Sequence, residues 1–274
     1  MQKLRKPDKA YNNENFLLSP DARTLRILSE YLEPAARFKK HRVLDTIVFF
    51  GSARIVSKKE ATAEYNRIKN VDPKSDPDFA ANLRKAQVAV EMSQYYEDAV
   101  KLSKMLTEWS MQLPGDENRF IVTTGGGPGI MEAANKGAKL AGGYTAGLGI
   151  SLPKEEQLNK FVSPQLGFEF HYFFMRKFWF VYISKALLAF PGGFGTCDEL
   201  FELLTLVQTK KIRKNLSIIL YGEKFWKSIM NFDALVEYGM IHENDKKLFT
   251  FCNTPQEAFE VVTNHFNKLY LKSK

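Results

Sequence analysis

A parallel α/β sheet, doubly wound with helices on both faces and preceded by an N-terminal helical extension, is the fold this sequence predicts. Three observations carry the prediction. Short apolar runs alternate with helical patterns along most of the chain, which is how βα units build a parallel sheet. Three of the runs end in glycine-bearing turns, Gly51-Ser52, Gly125 to Gly129 and Gly192 to Gly195, as strand-to-helix junctions often do. The runs are also continuous, as in Thr46-Ile47-Val48-Phe49-Phe50 and Ala186-Leu187-Leu188-Ala189-Phe190. Continuous apolar strands suit a sheet covered on both sides.

Residues 1–18 are polar. Ser19-Pro20-Asp21 then starts a helix, with Ser as N-cap, Pro in the first turn and Asp at the positive end. Leu25, Ile27, Leu28, Tyr31 and Leu32 form its apolar face, and Pro34 predicts its end. Residues 1–42 therefore read as an extension with one helix, and residues 43–274 as the main domain. Strand 46–50 opens that domain, residues 57–70 are helical, and Asp72-Pro73-Lys74-Ser75-Asp76-Pro77 is a loop. A long helix follows over 79–109, buried through residues such as Ala86, Tyr96, Ala99, Leu102 and Leu106. Phe120-Ile121-Val122-Thr123 leads into the second glycine turn and a helix to Lys139. Strands are expected over 145–152 and 168–173, then a helix over 175–184 and the strand that feeds the third glycine turn. The pattern closes with strand 217–221, helix 225–230, strand 248–252 and a terminal helix capped by Thr254-Pro255.

Composition narrows the class. Apolar residues make up 45% and charged residues 26% of the 274, the balance of an ordinary globular protein. No apolar stretch approaches a membrane span, and the first residues lack the apolar segment of a secretory leader. With only Cys197 and Cys252, a disulfide framework is not expected, and a reducing cytoplasm is the predicted location. The 39 basic against 31 acidic residues leave +8, which favours an anionic partner. Those charges are dispersed and carry no nucleic-acid module, so a nucleotide-sized ligand is expected, with neither nucleic acid nor membrane as partner.

The richest segment is Pro191-Gly192-Gly193-Phe194-Gly195-Thr196-Cys197-Asp198-Glu199. Strand, glycine turn and helix start bring backbone N–H groups and a positive helix end to face an anion, and Glu199 places a carboxylate one helical step inside. Together with Gly125 to Gly129 this reads as a phosphate or ribose contact. No Lys-Ser or Lys-Thr follows either turn as a Walker loop requires, and the pattern departs from Gly-x-Gly-x-x-Gly. For Gly51-Ser52, a plain turn serves equally well. Arg176-Lys177 is either a solvated basic pair or a pair awaiting an anion, since cations are poorly placed at a helix start. Glu132 either favours its own helix N-terminus or accepts ribose hydroxyls. The histidines and cysteines show no metal-ligand spacing, so no metal is expected. Cys197, though at a helix start, reads as filler rather than nucleophile, because no histidine is near in sequence.

At Pro191 to Glu199, taken with Arg176-Lys177 and with Gly125 to Met131, the chain resembles the Lonely Guy (LOG) family of nucleoside 5′-monophosphate phosphoribohydrolases, many of them labelled lysine decarboxylases. The pattern Pro-Gly-Gly-x-Gly-Thr-x-x-Glu is met at every defined position, and the resemblance spans roughly residues 46–265. It implies a Rossmann-like fold, a homodimer or higher homo-oligomer, and no cofactor. The implied reaction hydrolyses the N-glycosidic bond of AMP or a cytokinin riboside monophosphate to free base and ribose 5-phosphate. By the same resemblance Arg176 and Glu199 are the catalytic pair, with Lys177 beside Arg176. Gly192, Gly193, Gly195 and Thr196 hold phosphate, and Thr205 contacts substrate. Gly51, Ser52, Gly126, Gly127 and Glu132 stand beside them as substrate-binding candidates from the reading of the turns themselves, with the alternatives given above. Glu156 is a looser match that Glu155 contests. No lysine is identified that would hold pyridoxal phosphate. The N-terminal helix and residues 57–78 go beyond the family's minimal domain. A non-catalytic nucleotide or cofactor carrier on the same fold is the alternative; a DNA-processing protein has only the +8 charge behind it.

Overall fold

The computed structural model describes residues 7–151 and 157–271. Helices α1 (Glu14–Leu17) and α2 (Arg23–Lys40) precede strand β1 (Thr46–Phe50). Helices α3 (Lys58–Lys69) and α4 (Phe79–Ser110) lead to β2 (Ile121–Thr124), α5 (Ile130–Leu140), β3 (Thr145–Ile150) and β4 (Gly167–Phe170). Next come α6 (Phe173–Tyr182), β5 (Ser184–Ala189), α7 (Phe194–Gln208) and β6 (Ser217–Tyr221). The chain continues through α8 (Glu223–Ile229), α9 (Phe232–Glu237), β7 (Thr250–Cys252) and α10 (Pro255–Leu269). The strands form one sheet in the order β4-β3-β2-β1-β5-β6-β7, and every neighbouring pair is parallel. This is the predicted Rossmann-like, doubly wound architecture.

The continuous apolar strands feed two cores because successive side chains leave a strand on opposite faces. On one face Ile47, Phe49, Leu188 and Phe190 meet Tyr96, Ala99, Leu102 and Leu106 of α4 and Val262 and Phe266 of α10. On the other Val48, Phe50, Leu187 and Ala189 meet Phe38 of α2, Trp179 and Phe180 of α6, and Leu200 and Leu203 of α7. A polar tie supports the frame: Asp45, 1% exposed, accepts from Arg119 Nη2 at 2.8 Å and from the Phe120 N–H at 2.6 Å.

Pro34 does not end its helix; α2 runs on to Lys40 with Pro34 buried inside it. Proline lacks the N–H that would bond the carbonyl four residues back, so the Glu30 carbonyl loses its helical partner. The indole Nε1 of Trp179 donates to that carbonyl at 2.9 Å and makes up the loss. The expected apolar face also differs. Leu25, Leu28, Tyr31 and Leu32 are exposed, and α2 is anchored by Pro34 and Phe38. Phe38 packs on Phe168 and Trp179, and Arg37 Nη1 donates to the Gly167 carbonyl. Some boundaries shift as well. Strand β4 ends at Phe170, α6 starts at Phe173, Ser184 opens β5, and β7 begins at Thr250. Helix α9 was unexpected; the Asn231 side chain caps it by accepting the Ala234 N–H at 3.0 Å.

Candidate active site

The winding direction changes at β1. From there the chain builds outward through β2, β3 and β4, then returns to lay β5, β6 and β7 on β1's other side. At such a switch the connections leaving β1 and β5 diverge and open a crevice beyond their carboxyl ends. The turns after these strands meet there, the Ser52 N–H donating to the Pro191 carbonyl at 2.9 Å. The turn after β2 closes against them through the Ile130 N–H, which donates to the Ser52 carbonyl at 3.1 Å. Gly129 makes that approach possible. Its φ is +71°, and a Cβ there would lie 2.3 Å from the Ser52 carbonyl oxygen.

The crevice is a cavity of about 790 Å³. One side is the glycine start of α7, with Gly192, Gly193, Gly195 and Thr196; the floor is Gly51, Ser52 and Gly125. A Cβ on Gly193 or Gly195 would meet nothing within 4 Å, so their backbone faces open space at the helix N-terminus. Phe173, Phe180, Ile229 and Met230 form an apolar wall, and Arg54, Arg176 and Glu199 bring the charge.

Arg176 comes from the second turn of α6 and Glu199 from the second turn of α7. Glu199 is 8% exposed, and its Oε1 lies 3.6 Å from Arg176 Nη2. Burial pushes the Glu199 carboxyl up to about 7, with Arg176 and Lys177 pulling the other way and Asp198 and Glu202 adding to the rise. The Arg176 guanidinium lies 5.2 Å from the centroid of the Phe173 ring and 5.7 Å from that of Phe180, which hold it on the apolar wall. Burial raises the Cys197 thiol above its ordinary value despite its place at a helix start.

Of the residues picked out in the sequence, Gly51, Ser52, Arg176, Gly192, Gly193, Gly195, Thr196 and Glu199 line this one cavity. Others lie elsewhere. Gly126 and Gly127 sit behind the lining, their carbonyls each accepting from Asn159 Nδ2 at 3.0 Å. Glu132 turns to α4 and accepts from Tyr96 Oη at 3.0 Å. Lys177 bridges Asp198 at 2.7 Å and Glu202 at 2.8 Å, tying α6 to α7 outside the cavity. Thr205 is exposed on α7, its hydroxyl donating to the Phe201 carbonyl at 2.8 Å. Glu156 and its rival Glu155 lie outside the described residues. Sequence reasoning missed Arg54 and the apolar wall. Arg54 was within reach, since it closes the first glycine turn; Ile229 and Met230 arrive from the end of α8 with no local signal. Among the described residues no helix is long and apolar enough to cross a membrane.

Fold and cavity define a doubly wound α/β protein whose site joins a helix-start glycine turn to a buried carboxylate and a partly buried guanidinium. Residues 131–262 match the family model described as "Possible lysine decarboxylase". The chain is 25% identical over 177 residues to "Probable cytokinin riboside 5'-monophosphate phosphoribohydrolase LOGL2" of Oryza sativa subsp. japonica, covering 62% of this chain and 66% of that one. It is 30% identical over 83 residues to "Cytokinin riboside 5'-monophosphate phosphoribohydrolase LOG4" of Arabidopsis thaliana, covering 30% and 38%. The chain is thus similar, at a distance, to proteins of the Lonely Guy family, and its matches span less than two thirds of these relatives' lengths. Among solved structures, the Moco carrier protein of Chlamydomonas reinhardtii is similar at 23% identity and a TM-score of 0.44, covering 64% of this chain and 90% of that one.

Proposed function

We propose that this protein hydrolyses the N-glycosidic bond of a nucleoside 5′-monophosphate, AMP or a cytokinin riboside monophosphate, to free base and ribose 5-phosphate. The observation that carries the reading is Glu199. It is a nearly buried carboxyl held near neutrality, 3.6 Å from Arg176, in the same cavity as the open glycine start of α7. Strongly perturbed acids in clefts mark sites of proton transfer.

In this reading the 5′-phosphate sits against the N–H groups at Gly193 to Thr196, where the helix end favours negative charge. Arg54 supplies a second positive group on that rim. The base lies along Phe173, Phe180 and Met230. Binding energy from the phosphate is thereby spent on orienting the reacting bond. As the bond from C1′ to the base nitrogen lengthens, positive charge builds on the ribose ring, and ionised Glu199 stabilises it. Glu199 then takes a proton from the water that attacks C1′, and that proton is available to the departing base nitrogen. Arg176 favours the ionised form of Glu199 and fixes its direction.

The test is release of base, read by chromatography, from AMP, other common monophosphates and isopentenyladenosine monophosphate. Glu199→Gln and Arg176→Ala should each lower turnover by at least ~10²-fold while the fold persists. Binding of AMP with no base released from any substrate would overturn the proposal in favour of a carrier.

A further inference from the structure

The helix that carries Arg176 is held at its start by a carboxylate from outside the sheet. Glu30 of α2 accepts the backbone N–H groups of His171 at 2.8 Å and Tyr172 at 3.3 Å, the last two peptides before α6. A helix start has free N–H groups and a positive end, and Tyr172 at the N-cap offers no side-chain cap of its own. Glu30 supplies both the acceptor and the negative charge. The same residue grips α6 a second time, because the carbonyl that Pro34 leaves without a donor accepts from Trp179 Nε1. Tyr31, its neighbour, adds ring contacts to Phe178 and Trp179. Arg176 lies between the two grips, at residues 172 and 179, on a helix only ten residues long.

We propose that Glu30 is a positioning residue for Arg176: the N-terminal extension sets the placement of α6, and through it the distance between the guanidinium and Glu199. This rests on the reading of Arg176 and Glu199 as the working pair. Reacting groups tolerate little displacement, and a misplacement of about 1 Å can cost ~10²-fold in rate. The electrostatic consequence has a definite sign. Glu199 is faced by Arg176 and Lys177 from α6 and by Asp198 and Glu202 from its own helix, and it shares the cavity with Arg54 and Cys197. Arg176 is foremost among the groups holding its proton affinity down, so a displaced Arg176 lets the Glu199 inflection rise. Direct loss of the Glu30 charge would move the inflection the other way, which separates the two effects.

The experiment uses the full chain with Glu30→Ala and Glu30→Gln, each first checked for cooperative thermal unfolding. In Glu30→Ala, kcat for AMP should fall ~10-fold or more, with KM held within about threefold, and the inflection of kcat against pH should move upward. Glu30→Gln, which keeps one accepting oxygen, should fall between it and the parent. A folded Glu30→Ala with parental kcat and parental inflection overturns the proposal; if that variant does not fold, Glu30→Gln with both unchanged does so. Titration of the Glu199 carboxyl carbon by ¹³C NMR, assigned through Glu199→Gln, reads the same inflection without turnover. An upward shift there supports positioning even if no monophosphate is hydrolysed, and an unchanged one overturns it.

Discussion

Ionised Glu199 should destabilise the folded chain, so Glu199→Gln should yield a more stable protein that is also inactive. In an unfolded chain this carboxyl ionises near 4.5; in the fold burial delays it to about 7. The unfolded state therefore sheds its proton first as pH rises. Stability is fully present below about 4.5, drains away between the two values, and stays lower above the upper one. At about 1.4 kcal/mol for each pH unit, the full loss is on the order of 3 kcal/mol. For a chain of this size that corresponds to very roughly 6–12 °C in Tm. Thermal unfolding of the parent and Glu199→Gln, followed by calorimetry from pH 4.5 to 8.5, provides the measurement. The variant's Tm should pull away from the parent's as pH rises and level off above neutrality. Any constant offset, including altered contact with Arg176, leaves that pH dependence intact. A gap that is flat across the range, or that narrows as pH rises, would refute the reasoning about burial.

The remaining predictions concern turnover and the glycine turns. If the working form of Glu199 is ionised, kcat for base release should rise with pH around neutrality and reach a plateau on the alkaline side, with its inflection near 7; a rate that falls through neutrality would contradict the assignment. Gly129→Ala should cost at least ~3 kcal/mol or prevent folding, because a Cβ at φ +71° would press on the Ser52 carbonyl. Gly193→Ala meets nothing within 4 Å, so its stability should stay within about 0.5 kcal/mol of the parent. Its methyl enters the phosphate cradle, however, and KM for AMP should rise about tenfold or more. Unfolding curves and steady-state kinetics on the same preparations separate the two glycines.

Much of this protein was legible along the chain because its signals are local. A continuous apolar run such as Ile47 to Phe50 can be satisfied only between two helical layers, and a glycine turn can follow it without steric penalty. The capping box of Thr254 and Glu257, with Pro255 in the first turn, marks the start of α10 for the same reason. The site was legible to the extent that its parts are contiguous: Gly192 to Glu199 shows cradle and acid in one segment. Arg176 was readable only in combination with that motif, because nothing along the chain states that α6 will face α7.

Tertiary structure decided what depends on groups distant in sequence. The crevice exists because the winding direction reverses at β1, so the turn of Ser52 meets that of Pro191. Ile229 and Met230 become its wall, while Gly126, Gly127, Glu132, Lys177 and Thr205 are engaged outside it. Pro34 shows the difference most clearly. Local rules make proline a helix stop because it leaves a carbonyl unpaired, yet Trp179 arrives from residue 179 to pair it and α2 continues. The chain by itself determined the sheet, the turns and the chemical groups; packing determined which of those groups share one low-dielectric cavity, because burial and distance are properties of the fold rather than of any segment.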